Sequence, residues 1–268
     1  MADGMLDAPL LRTDGSGIAR LTLNRPAARN GLSLALMREL RAALAAIADD
    51  AAVRVVLLDG NGPAFCAGHD LREITGHFAD ADGGHGFFVE AMAECAALMQ
   101  AIVALPQPVI AVAEGVATAA GCQLVATADL AVAGDAARFC TPGVDIGLFC
   151  STPAVALARV VPRKPAMEML LTGAMIGAAE AHRIGLINRV VPAGAALAEA
   201  EALARHIAAR SAYAVRLGKR SFYAQLEQPL AEAYRIAAAA MVENLLAEDA
   251  AEGIGAFLEK RAPQWRDR

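Results

Sequence analysis

The chain has 268 residues, 56% of them hydrophobic and 20% charged, with a formal net charge of −5. This length and balance suit one large soluble globular domain with an appendage, and exclude a disordered or fibrous chain. The acidic total, with no long basic run, argues against a nucleic acid or a membrane surface as partner.

In chain order, residues 1–16 carry acids and no long apolar core, so they read as a loose leader, neither a secretory signal nor an Arg-rich transit peptide. The segment IARLTLN, 18–24, sets Leu21 and Leu23 on one face and predicts a strand. Ser33 then caps a helix whose apolar stripe is Leu36, Leu40, Leu44 and Ile47. A second strand is predicted over VRVVLLDG, 53–60, and a second helical stripe over Phe88, Met92, Cys95, Met99 and Ile102, ending near Pro106. PVIAVAEG and DLAVAGD, 129–135, read as buried strands. No apolar run reaches the roughly 18 residues of a membrane span.

The alternation places the chain in the α/β class. After about residue 195 the strand signals stop, and Ala-rich helical stretches run on, broken near 210–213, 228–229 and 248–253. The organisation expected is therefore a core over 1–195 and a helical region over 196–268 that packs on the core or on another subunit. Five cysteines without CxxC or Cys/His spacing predict free thiols in a reducing cytoplasm, with neither a disulfide framework nor a metal site.

Two stretches repeat one plan. LLDGNGPAFCAGHDLREI, 57–74, and AVAEGVATAAGCQLV, 111–125, each run strand, Gly-rich turn, helix start. Backbone N–H groups at a helix start lack intrahelical partners and carry the positive dipole end, so two such turns converging would hold an anion or a carbonyl oxygen gaining charge. Seen singly, each turn is equally a tight connection.

These stretches, with AMEMLLTG and AHRIGLINRVV, fall in the order and spacing of the enoyl-CoA hydratase/isomerase (crotonase) superfamily, which the chain resembles from about residue 18 onward. Within it, ATAAGCQLVA, TPGVDIGLFCSTP, ALARVVPRK and FLEKR resemble the branch called enoyl-CoA hydratase domain-containing protein 3. The resemblance implies a spiral of ββα units, a C-terminal helical region that trimerises, and a homotrimer or dimer of trimers. It also implies an acyl-CoA thioester as substrate or ligand, with no tightly bound cofactor.

Carried across by position, the family's oxyanion-hole amides fall on Ala67 and Ala120, and its two catalytic glutamates on Gln123 and Gly143. Gln has no proton to exchange near neutral pH and Gly no side chain, so hydration is expected to be weak or altered. The alternative is an acyl-CoA-binding protein with little catalysis. Asp145 is the nearest replacement carboxylate, or else a solvent-facing loop acid. Cys150 and Ser151 lie where some relatives place a working acid, or form a helix cap and a small buried residue. His69 relays a proton or lines the acyl entrance, and His77 and His85 sit in a polar, Gly-rich stretch with the profile of a lid. Arg29, Asp70, Leu71, Lys260 and Arg261 match CoA-contacting positions; Asp70 equally reads as a helix N-cap, and the Lys260–Arg261 pair as a solvated helix end.

Overall fold

The turn Ser16–Gly17 has positive φ at both residues, 52° and 78°, the geometry that matches the twist of a tight hairpin. It joins β1, Leu10–Gly15, to β2, Ile18–Leu23, in antiparallel register from Leu10 opposite Leu23 to Gly15 opposite Ile18. The computed structural model describes residues 8–268. The expected leader is therefore a strand over 10–15, and its first seven residues lie outside the described ones. LLRTDG has no clean alternation because β1 is an edge strand, half-buried at its start and exposed at its end.

Ser33 accepts the amide of Leu36 and opens α1, Leu34–Ala48, whose buried stripe is Leu36, Met37, Leu40, Leu44 and Ile47. From there one pattern repeats three times. β3, Val55–Gly60, leads to β4, Ala64–Cys66, and then to α2, Leu71–Gly76, and α3, His85–Ala104. β5, Val109–Ala113, leads to β6, Val116–Thr118, and α4, Ala120–Thr127; β7, Leu130–Gly134, leads to β8, Arg138–Cys140, and α5, Ser151–Val160. The first strand of each turn stacks parallel in one sheet, and the second stacks parallel in another. The result is a spiral of ββα turns. After α6, Arg163–Thr172, β9, Ile176–Gly177, and α7, Ala178–Arg183, the larger sheet is completed by β10, Arg189–Val191, in the order β1-β2-β3-β5-β7-β10; the smaller runs β4-β6-β8-β9.

Strands buried on both faces explain the continuous apolar runs. Val56 and Leu58 of β3, with Ala111 and Ala113 of β5, face the main core with α1 and α3, whereas Val55, Leu57, Ile110 and Val112 face a second cluster. That second cluster is closed by Ala196, Ala200 and Ala204 of α8, Ala196–Ala208. Of the helical region expected over 196–268, α8 packs on the core, its alanines allowing close approach to the sheet. The helices that stand apart are α9, Ala212–Leu226, α10, Leu230–Leu245, and α11, Glu248–Leu258.

α10 buries no residue within the chain, and Leu230, Tyr234 and Leu246 are at least 70% exposed. α9 is fastened to the core by Asp129, just before β7. Its carboxylate accepts from Lys219 Nζ (2.7 Å), Tyr223 OH (2.9 Å) and the amide of Val109 (2.7 Å). Burial pushes the Lys219 ammonium down, and Asp129 opposes that shift.

Contrary to the expectation from apolar runs, α3 is long and apolar enough to cross a membrane, with a mean hydropathy of 1.6. It is a core helix here: Ala91, Cys95, Leu98, Met99 and Ile102 are buried, and its Glu90 and Glu94 pair with Arg38 and Arg41 of α1.

Candidate active site

The first junction runs from Cys66 at the end of β4 to Asp70, which caps α2 by accepting the amides of Arg72 and Glu73. Asp70 also pairs with Arg25 at 2.8 Å. Burial alone would raise its carboxyl, but Arg25 and the two amides outweigh burial and hold it below the usual range. Of its two readings, the cap is the one the structure displays. Behind the junction, buried Asn30 donates to the carbonyls of Asn61, Ala64 and Phe65 and fixes the β3–β4 turn. That role was missed in the sequence, where Asn30 stands only as one more polar residue in RPAARNGL.

The strand pairing assigns the junction's donors. Ala67 N–H donates to the carbonyl of Arg29 at 2.9 Å, and Asp70 N–H to that of Leu32 at 3.0 Å, while Gly68 C=O accepts from Leu32 N–H at 2.7 Å. The His69 N–H, between them, has no acceptor among the described residues. The expected donor Ala67 is thus already engaged, whereas the amides of Gly68 and His69 both lack an acceptor among the described residues. Position matching from sequence could not see this, because it depends on Leu32 and Arg29 bracketing the loop.

The second junction turns at Ala119, with φ 51° and ψ −118°, a region L-residues seldom enter, and α4 begins at Ala120, whose N–H is likewise unpaired. The two junctions touch. A Cβ at Gly68 (φ +86°) would lie 2.9 Å from the Ala119 Cβ and 3.3 Å from the Ala120 nitrogen, and a Cβ at Gly121 would land on the Cys66 carbonyl. The two junctions expected from the repeated strand, turn and helix start therefore meet, with Gly68, His69 and Ala120 among their open donors.

Gln123 is buried one helical turn further on, and its Oε1 accepts from Cys95 Sγ at 3.8 Å. Its Nε2 has no acceptor among the described residues. The sequence places Cys95 only in a core stripe; its contact with Gln123 depends on α3 crossing α4. Gly143 lies in the 3₁₀ turn Pro142–Ile146, and a Cβ there would meet Cys150 Sγ at 2.9 Å and the Leu148 carbonyl at 3.0 Å. Cys150 and Cys140 are both held neutral by burial, which pushes their thiols up. Asp145 is exposed, its carboxylate oxygens 3.0 and 3.1 Å from where a Gly173 Cβ would stand. Exposed Ser151 donates to the Phe149 carbonyl at 3.4 Å at the start of α5.

His69 is forced towards neutrality by burial, and its Nε2 is sealed without a partner. The stretch 75–86 is folded: His77 stacks on Phe87 with ring centroids 3.8 Å apart, and Asp82 accepts the amides of Gly84 and Gly86. Arg29 is exposed at the back of the first junction and Leu71 is 49% exposed beside it. Arg261 is engaged by Glu252 and Glu259, whereas Lys260 is exposed. Among the described residues no group of three or more His, Cys, Asp or Glu side chains is placed to hold a metal ion.

A spiral of ββα turns whose strand–helix junctions meet around free amides defines a crotonase-like α/β protein. The same architecture is found in the crystal structure of enoyl-CoA hydratase from Mycobacterium smegmatis (TM-score 0.92, 47% identity, 96% of this chain and 99% of that one). It recurs in that of human enoyl coenzyme A hydratase domain-containing protein 3 (TM-score 0.92, 46% identity, 96% and 100%). Enoyl-CoA hydratase domain-containing protein 3, mitochondrial, of Rattus norvegicus is 48% identical over 93% of this chain and 81% of its own length. The enoyl-CoA hydratase/isomerase family model matches residues 13–268, and the chain belongs to that family, with the domain-containing protein 3 branch.

Proposed function

We propose that the chain binds the thioester group of an acyl-CoA between the amides of His69 and Ala120, which polarise its carbonyl towards an enolate. The observation that carries this reading is the meeting of two strand–helix junctions at Gly68 and Ala119–Ala120, each with N–H groups left unpaired. Preorganised donors of this kind cost no reorganisation when charge develops and are often the largest single contribution to catalysis. The CoA moiety is the ligand, with Arg29 and Lys260 as the phosphate-contacting cations and no further cofactor. Arg29 suits that role because its backbone is already tied to the site through Ala67.

Hydration is feeble in this reading. Neither Gln123 nor Gly143 can move a proton, and a placed carboxylate typically supplies about 10²- to 10⁴-fold in rate. The same absence favours a second reading, an acyl-CoA-binding protein with little turnover. The exposed apolar faces of α9, α10 and α11 support association as a homotrimer or dimer of trimers, and the five buried free thiols suit a reducing cytoplasm, although the rat relative is named as mitochondrial.

The test is calorimetry with crotonyl-CoA, followed by the loss of its conjugated thioester absorbance. Binding with hydration orders of magnitude below that of a hydratase bearing both glutamates is expected; rapid hydration refutes the assignment of Gln123 and Gly143 as inactive positions. Absence of binding refutes the oxyanion reading. Light scattering of the same sample should report a multiple of three chains.

A further inference from the structure

We infer that Gln123 is a specificity-determining residue that selects acyl-CoA esters bearing an acceptor oxygen on the third acyl carbon. This rests on the oxyanion reading above and deepens it. Gln123 stands three residues after Ala120, so both lie on one face of α4, and a helical side chain leans back towards the helix start. A helical turn advances about 5.4 Å. The amide group therefore addresses the acyl carbons beyond the carbonyl that Ala120 holds.

The orientation of the amide is set by chemistry. The Cys95 thiol is held protonated, its pKa pushed up to about 11 by burial, so it can donate and is a poor acceptor. It donates to Oε1 at 3.8 Å, which turns the NH₂ group of Gln123 away from α3. Gln123 is only 4% exposed, yet its Nε2 has no acceptor among the described residues and is not sealed from solvent. An oriented, largely desolvated donor of this kind is costly to leave unmade.

Gly143 brings no carboxylate, the thiols of Cys140 and Cys150 are held protonated by burial, and Asp145, whose charge acts on Cys140, lies exposed against Gly173. A saturated or enoyl chain offers Nε2 nothing, and a site built to hydrogen-bond a polar group discriminates strongly against an analogue that lacks it. A 3-oxo group and a carboxylate carbon at the same position both supply the missing oxygen, and no negative side chain of Gln123 or Gly143 repels the latter.

The experiment is calorimetric titration of the intact protein with butyryl-CoA, acetoacetyl-CoA and malonyl-CoA. With Nε2 as donor, acetoacetyl-CoA should bind about fivefold tighter than butyryl-CoA, or malonyl-CoA about thirtyfold, the gains expected for one neutral or one charge-assisted hydrogen bond. Whichever ester leads identifies the oxygen as keto or carboxylate. In Gln123→Leu the affinity ratio should fall to about one, and in Gln123→Glu malonyl-CoA should bind more weakly than butyryl-CoA, by loss of the donor and like-charge repulsion. Equal affinities in the wild type, or a preference that survives in Gln123→Leu, overturn this inference while leaving the oxyanion reading standing. Failure of all three esters to bind overturns both.

Discussion

The two sides of the site differ in how the chain enforces them. At the junctions, Cys66–Asp70 and Ala119–Gly121, geometry is written in the backbone: Gly121 exists because a carbonyl occupies its Cβ position, and Ala67, Gly68 and Asp70 are each committed to a main-chain partner. Over residues 142–151 side chains do more of the work: Gly143 has none, and the Cys150 thiol stands where its Cβ would be. The lesson is that a binding feature made of amides is protected by folding itself, whereas one made of side chains is free to drift.

The sharpest way to break that contrast is Gly121→Ala. The new methyl would strike the Cys66 carbonyl, so overpacking should cost about 3 kcal/mol in urea unfolding and abolish acyl-CoA binding. An unaltered midpoint would mean the junctions are not locked together. On the other side, Gln123→Glu with Gly143→Glu should raise crotonyl-CoA hydration by about 10²-fold only when Cys150→Ala is added to clear room, because a placed carboxylate contributes on that scale. A double variant as active as the triple one would remove Cys150 as the obstacle.

A smaller effect is expected at Ala119. A non-glycine residue at φ 51°, ψ −118° carries strain, so Ala119→Gly should stabilise the protein by about 1 kcal/mol after the entropic cost of glycine, read as an upward shift in thermal midpoint. Smallest is a pH effect at His69. Burial lowers its folded-state pKa below the ordinary 6.5, so below that pH the unfolded chain binds a proton that the folded chain refuses, and stability falls as pH drops. His69→Asn should lose less stability between neutral pH and pH 5 than the wild type, by roughly 1 kcal/mol or less.

Much of this was legible in the sequence. Ser33 and the stripe that follows it defined α1, and the repeated strand, turn and helix start gave both junctions, because periodicity and small residues report local structure directly. The strand over 10–15 escaped because an edge strand with mixed exposure carries no alternation; its signal was the Ser16–Gly17 turn. The bond from Ala67 N–H to Arg29 was not visible, because a matched position cannot reveal which amide is already bonded. Neither the crowding of Gly143 by Cys150 nor the pairing of Cys95 with Gln123 was accessible, since each arises where segments distant or folded back in the chain happen to meet. That the α8 alanines serve the sheet was one of the two packings that the Ala-rich stretch left open.

Asp129 gives the molecule a shared hinge pin. One carboxylate receives both the amide that begins β5, the strand leading through β6 to the Ala119 turn, and the two α9 side chains that moor the outer helices. A disturbance at the helical surface and one at the Ala119 turn therefore converge on the same atom pair, so damage at residue 129 would register as two defects, loosened outer helices and a misshapen turn, with a single origin.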